Sequence, residues 1–169
     1  MLYLARNLSQ LHFGSLMAVY VDANRENGRE AWPEEPEMRQ IQLAEEEFYR
    51  YLSQVFFKTP GAICAVWEKN GRYVSALRLE PYRDGLLLEA LETAPEQRRK
   101  GFAAALIRAV QCFLEGKTKL YSHVDKRNLS SLKVHGKCGF RRVADFAVCV
   151  DGSVNQKMYT LCWDDKPSV

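Results

Sequence analysis

The spacing of apolar residues along this chain switches between steps of three to four and steps of two, and each switch predicts an element. Ile41, Ala44, Phe48, Tyr51, Leu52 and Val55 recur at helical spacing and predict one amphipathic helix across residues 38–57. Upstream, Leu8, Leu11, Phe13, Leu16, Met17, Val19 and Tyr20 fit a helix over residues 8–24 less regularly, and residues 2–6 read as a short strand. Between the two helices, residues 26–36 carry Gly28, Trp32, Pro33 and Pro36 and read as a linker loop, long for a compact domain. The period then shortens. Ala62–Trp67 and Arg72–Leu79 form a predicted hairpin across Asn70-Gly71, and Gly85–Thr93 follows Asp84 as a third strand. Leu106, Ile107, Val110 and Phe113 mark a helix over residues 101–115, stopped by Gly116. A strand over Lys119–Val124 and a short helix from Asn128 to Cys138, closed by Gly139, come next. Phe140–Val150 and Gln156–Trp163 end the pattern as a hairpin across Asp151-Gly152. The order predicts an α/β fold: a mixed, largely antiparallel central sheet of about six to seven strands, flanked by about four helices.

Composition narrows the class. At 169 residues, residues 1–169 read as one domain, with 47% hydrophobic and 27% charged positions typical of a globular protein. No apolar run approaches the roughly 18 residues of a membrane span, and the first residues lack the basic-then-apolar pattern of a secretory signal. A net charge of +3 is too small to point to nucleic acid or a membrane surface as partner. Cys64, Cys112, Cys138, Cys149 and Cys162 are odd in number with no CxxC spacing. That predicts reduced thiols in the cytoplasm and no metal site.

The chemistry concentrates at residues 95–103, Pro-Glu-Gln-Arg-Arg-Lys-Gly-Phe-Ala, between a predicted strand and a predicted helix. The first amides of a helix have no internal partners, and the helix dipole places about half a positive charge there. Such an end receives diphosphates. Arg98, Arg99 and Lys100 add charge-assisted donors, while Gly101 and Ala103 let backbone approach a ligand closely. Taken alone, the basic triplet equally describes a solvated surface run or a nucleic-acid patch.

The segment Arg98-Arg99-Lys100-Gly101-Phe102-Ala103 fills the pattern [Gln/Arg]-x-x-Gly-x-[Gly/Ala], and Asn128, Ser131, Val134 and Gly139-Phe140 follow the pattern N-x-x-A-x-x-x-Y-x-x-x-G-F. In these two elements the chain resembles the GNAT acetyltransferase superfamily. Spacing and strand order agree over residues 60–165, the expected acyl-CoA-binding core, while residues 1–58 match only as two variable helices bordering the acceptor site. The resemblance implies that strand 85–93 splays from strand 119–124, with pantetheine in the gap on the backbone of Leu91, Glu92 and Thr93. It implies the pyrophosphate on residues 98–103, with Asn128 and Ser131 at the cofactor or serving as a plain helix cap. Acetyl-CoA is then the co-substrate, and no metal is called for.

An amine acceptor with a pKa near 10.4 must lose a proton before it attacks a thioester. Glu89 is the candidate base, placed by two-residue alternation on the face of Leu91 and Thr93, with Glu92 on the opposite face. Glu89 paired to an arginine is the alternative. Where the family carries tyrosine, the count lands on His135, the candidate acid or a helix-end histidine. The expected activity is transfer of an acetyl group to a primary amine of a small molecule or peptide, directly within a ternary complex. A homodimer is compatible with this reading. Glu45, Glu46, Glu47, Phe48, Tyr49 and Tyr51 either border the acceptor or form the ordinary faces of an amphipathic helix. Three rival readings remain: transfer of a longer acyl group or to another acceptor, a CoA-responsive binding module without catalysis, and a nucleic-acid-binding domain.

Overall fold

The computed structural model describes residues 1–164; Asp165, the last residue of the expected core, lies outside them. Nine strands and five α-helices occur among the described residues. The N-terminal strand β1 (Leu2–Ala5) leads through a 3-10 turn to α1 (Phe13–Val19), α2 (Val21–Ala31) and α3 (Glu37–Gln54). Strands β2 (Ile63–Lys69), β3 (Arg72–Tyr82) and β4 (Gly85–Thr93) then form a meander. The second half runs α4 (Phe102–Leu114), β5 (Lys119–Asp125), α5 (Leu129–Lys137), β6 (Arg141–Ala144), β7 (Ala147–Val148), β8 (Val154–Asn155) and β9 (Met158–Trp163).

Seven strands make one sheet in the order β1-β2-β3-β4-β5-β9-β6, antiparallel except where β4 meets β5. Both faces of its β2–β4 half are covered, and the first four residues of β2 accordingly form an unbroken buried run. Ile63 and Ala65 pack on one face with Leu106, Ile107 and Val110 of α4, while Cys64 and Val66 pack on the other with Leu16, Leu52 and Phe56. The Asn70-Gly71 hairpin forms as expected, both residues taking positive φ (+53° and +73°).

Two segments depart from the sequence pattern. Residues 26–31, read as linker, complete α2, so the loop shrinks to Trp32–Pro36. Gly28 permits this: a Cβ there would run into the carbonyl of Gln40, so only glycine lets α2 and α3 lie this close. The side-chain amide of Gln40 donates to the carbonyls of Trp32 and Glu35 at 3.0 and 2.8 Å and pins the turn. The helix expected over residues 8–24 is broken at Tyr20 into α1 and the start of α2, so five helices flank the sheet where about four were expected, and the expected architecture holds. The expected final hairpin is also divided: β6 pairs with β9, and β7 with β8 in a separate small ribbon. The Tyr82 hydroxyl anchors that ribbon by donating to the Val148 carbonyl at 2.6 Å.

Candidate active site

The parallel strands β4 and β5 pair only from Gly85–Lys119 to Leu88–Ser122. Gly85 closes this end, since a Cβ there would meet the Lys119 carbonyl. Beyond Leu88 the strands part. A β-bulge opens at the same point: Arg78 faces Glu89 and Ala76 faces Glu92, so Leu77 alone opposes both Ala90 and Leu91. Ala90 takes φ +50°, a conformation costing an L-residue roughly 1–2 kcal/mol, and the buried Tyr20 hydroxyl holds it by donating to the Ala90 carbonyl at 2.8 Å.

The extra residue resets the alternation. Leu91 packs with Leu88 on the α4 side, and Ala90 packs with the N-terminal helices. The placement of Glu89 on the face of Leu91 and Thr93 is therefore corrected: one inserted residue moves those two away from it. Glu89 Oε1 instead accepts from Arg78 Nε and Nη2 at 3.2 and 3.1 Å. Glu92, expected to lie away from the site, is part of its lining. Its carbonyl is taken by the Ser75 hydroxyl at 2.6 Å, and the amide of Ala94 donates to Val74 at 3.0 Å. Glu92 and Ala94 thus turn their peptide groups toward β3, which leaves those of Leu91 and Thr93 facing the gap vacated by β5. Of the expected backbone trio, the Leu91 peptide is left free to bind there, since the Thr93 carbonyl accepts from Arg98 Nε.

At the head of α4, Arg99 and Gly101 adopt φ +61° and +85°, and Gly101 is the N-cap without any side-chain cap. The first amide satisfied inside the helix is that of Ala105, on the Gly101 carbonyl at 3.0 Å, so the amides of Phe102, Ala103 and Ala104 point outward. A Cβ on Gly101 would meet nothing within 4 Å, so the approach is open. Arg98 bridges the loop to the helical wall: Nε donates to the Thr93 carbonyl at 3.1 Å and Nη2 pairs with Asp22 at 2.8 Å. Lys100 folds back on the Glu96 carbonyl at 2.8 Å, and the Lys69 ammonium lies 5.2 Å from the Phe102 ring.

Arg98, Arg99, Gly101, Phe102, Ala103 and Ala104 share one cleft of about 860 Å³ with Leu91, Glu92 and Thr93 on one wall and α5 on the other, whereas Lys100, expected at the cofactor, is absent from its lining. Asn128 caps α5, its Oδ1 accepting from the Ser131 amide at 3.0 Å, and both line the cleft. Val134 of the same motif lines it as well, together with Lys133 and Lys137, which the sequence reading passed over; their steps of one, three and four place them on a single helix face. His135 lies on another face. It is 1% exposed and packs edge-on to Phe140 at 5.0 Å, absent from the cleft lining. Its Nδ1 donates to the Ser131 carbonyl at 2.8 Å, which leaves Nε2 as a buried lone pair without a partner. Burial lowers its pKa, which disfavours the imidazolium, and the structure does not bring it to the cleft where the expected acid would act.

A second cavity of about 480 Å³ adjoins the first at Glu92. Its walls come from α2 and α3, with Tyr20, Asn24, Glu47, Phe48 and Tyr51, and from Arg78 and Ala90 in the sheet. Burial raises the Glu92 carboxyl above its usual range, the Arg98 charge opposing. Arg78 is largely shielded, with its guanidinium 5.0–5.6 Å from the rings of Phe48, Tyr51 and Phe56. Among the described residues no cluster of His, Cys, Asp and Glu is placed to hold a metal, and no helix is long and apolar enough to cross a membrane.

A sheet wedged open beside an uncapped helix N-terminus defines the acyl-CoA acetyltransferase class. The model of the acetyltransferase (GNAT) family matches residues 16–140, and the chain belongs to that family. A search of curated proteins gives no match. Solved structures share the fold over nearly their whole length. PH1933 from Pyrococcus horikoshii OT3 is 12% identical at TM-score 0.66, covering 99% of this chain and 100% of that one. The PaiA N-acetyltransferase from Thermoplasma acidophilum, in complex with coenzyme A, is 12% identical at TM-score 0.60, covering 97% and 99%. The ribosomal-protein-S18-alanine N-acetyltransferase from Escherichia coli is 14% identical at TM-score 0.58, covering 100% and 97%.

Proposed function

We propose that this protein is an acetyl-CoA-dependent N-acetyltransferase that binds its donor in the 860 Å³ cleft and its amine acceptor in the adjoining cavity. One observation carries the reading: the β4–β5 gap leads without interruption to three outward amides at the head of α4. The residues fit the donor from end to end. The Leu91 peptide suits a pantetheine amide, and the Phe102–Ala104 amides with Arg98 and Arg99 suit a pyrophosphate. Lys133 and Lys137 add positive charge on the facing helix.

Transfer replaces a C–S bond by a C–N bond, and the attacking ammonium loses two protons, one of which ends on the departing sulfur. Glu92 stands where the two cavities meet and takes the first proton, directly or through one water; its raised pKa makes it a stronger base than an ordinary glutamate. A thiol pKa near 8.5 makes the sulfur a competent leaving group without His135. The burial of His135 favours a second reading, a CoA-binding module without turnover, which thiol release distinguishes. The five free cysteines suit the reducing cytoplasm as its location.

Calorimetric titration with acetyl-CoA and desulfo-CoA, on wild type and Gly101→Glu, tests the donor site. The variant puts a carboxylate where the diphosphate would lie. Micromolar binding by wild type and its loss in a folded variant is the expected result. No binding at millimolar ligand overturns the proposal.

A further inference from the structure

The cavity beside Glu92 has a charge and hydrogen-bonding character that selects its occupant. Its two carboxylates come from separate elements, Glu92 from β4 at the junction with the donor cleft and Glu47 from α3. Neither makes an ion pair among the described residues, whereas the cavity's cation, Arg78, is already neutralised by Glu89. Glu47 therefore carries a negative charge without an ion-pair partner, and Glu92 feels the Arg98 charge only at longer range than an ion pair.

A second observation is independent of that charge. Asn24 is 3% exposed and lines the same cavity. Its Nδ2 is engaged with the Met17 sulfur at 3.3 Å, while its Oδ1 accepts no hydrogen bond from the chain. That carbonyl has no partner in the chain and can accept a hydrogen bond from a donor in the cavity. Between the polar groups lie the rings of Tyr20, Phe48 and Tyr51, which suit methylene groups and a nearby cation. A volume of about 480 Å³ is that of a small-molecule site.

From these features, and resting on the acetyltransferase reading, we infer that the acceptor is a short aliphatic diamine. One amine meets Glu92 and is acetylated; the second, as ammonium, is held by Glu47 and the Asn24 carbonyl; the stem lies along the aromatic wall. An acceptor ending in a carboxylate meets two like charges, and a monoamine leaves Glu47 and Asn24 unanswered.

The test uses the full chain with saturating acetyl-CoA, following thiol release and product mass. The acceptors are 1,4-diaminobutane, n-butylamine, 4-aminobutyrate and a lysine-containing peptide. Expected is a kcat/KM for the diamine at least 10-fold above butylamine and 100-fold above aminobutyrate and the peptide. In Glu47→Gln the ratio of diamine to butylamine should collapse toward unity through a rise in the diamine KM. Equal values for diamine and butylamine, preference for aminobutyrate or peptide, or an unchanged ratio in Glu47→Gln would each overturn the assignment. Parallel calorimetry with acetyl-CoA separates the two levels. Donor binding without diamine preference refutes only the acceptor class, and absent donor binding refutes the acetyltransferase reading beneath it.

Discussion

Glu89→Gln separates a charge partner from a catalytic base, because the two roles predict opposite outcomes. In the structure both bonds from Arg78 converge on Glu89 Oε1, and the side chains are only 15% and 29% exposed. Three aromatic rings surround the guanidinium, so water cannot replace the lost anion fully. Breaking a fully buried pair costs about 3–5 kcal/mol. Here the carboxylate remains partly wet, and the glutamine oxygen still accepts one hydrogen bond, which reduces the loss to about 1–3 kcal/mol. For a chain of this size each kcal/mol moves the melting midpoint by about 2–4 °C, so a drop of roughly 2–12 °C is expected. Denaturant unfolding at pH 7.5 measures the loss, and thiol release at 20 °C, where the variant stays folded, measures turnover. Arg78→Met combined with Glu89→Leu should recover part of the stability, since removing both charges leaves neither stranded. A Glu89→Gln protein with an unchanged midpoint and kcat reduced 100-fold would refute the argument and make Glu89 the base.

Two further substitutions test the remaining assignments. Glu92→Gln should lower kcat by about 10²–10⁴-fold with acetyl-CoA affinity nearly unchanged. Because burial raises the Glu92 pKa, the folded state keeps a proton that the unfolded state has lost, and the ionised carboxylate costs stability once pH exceeds the folded pKa. The same variant should therefore be no less stable than wild type at pH 7.5; kcat within threefold of wild type would remove Glu92 from the mechanism. His135→Leu should leave kcat within about twofold, as expected of a core residue outside the cleft. Burial lowers the His135 and His123 pKa values, so their contribution to stability is present above about pH 6.5 and is lost as pH falls toward the folded values. Unfolding midpoints measured from pH 7.5 to 5 should fall less steeply in the variant, and a turnover loss of 100-fold would restore His135 as a catalytic group.

How legible each part was in the sequence follows from what fixes it. The Arg98–Ala103 loop could be read because its demands are local: a glycine at positive φ, a small residue two positions later, and a helix behind them. The α5 cap was equally readable, since Asn128 bonds to the amide of Ser131 only three residues away. The bulge was not. Leu-Glu-Ala-Leu-Glu at 88–92 alternates acceptably in either register, and the residue that absorbs the extra step is an alanine at φ +50°, held there by Tyr20, 70 positions earlier. That single insertion decides which glutamate reaches the cleft, so counting along β4 selected Glu89 where the folded chain presents Glu92. His135 failed for a related reason. The helical count placed it correctly on α5, but the direction of its ring is set by Phe140 and by the Ser131 carbonyl. The polar segment completing α2 carries little helical pattern of its own and folds because Gly28 admits the backbone of α3 at Gln40. The candidate donor cleft is thus written largely in contiguous residues, whereas the adjoining cavity draws Asn24, Glu47, Arg78 and Glu92 from four elements. The local demands of the loop and the composition of the adjoining cavity are therefore separable in one chain: Glu47 or Asn24 can change without touching the strand gap, the bulge or the head of α4.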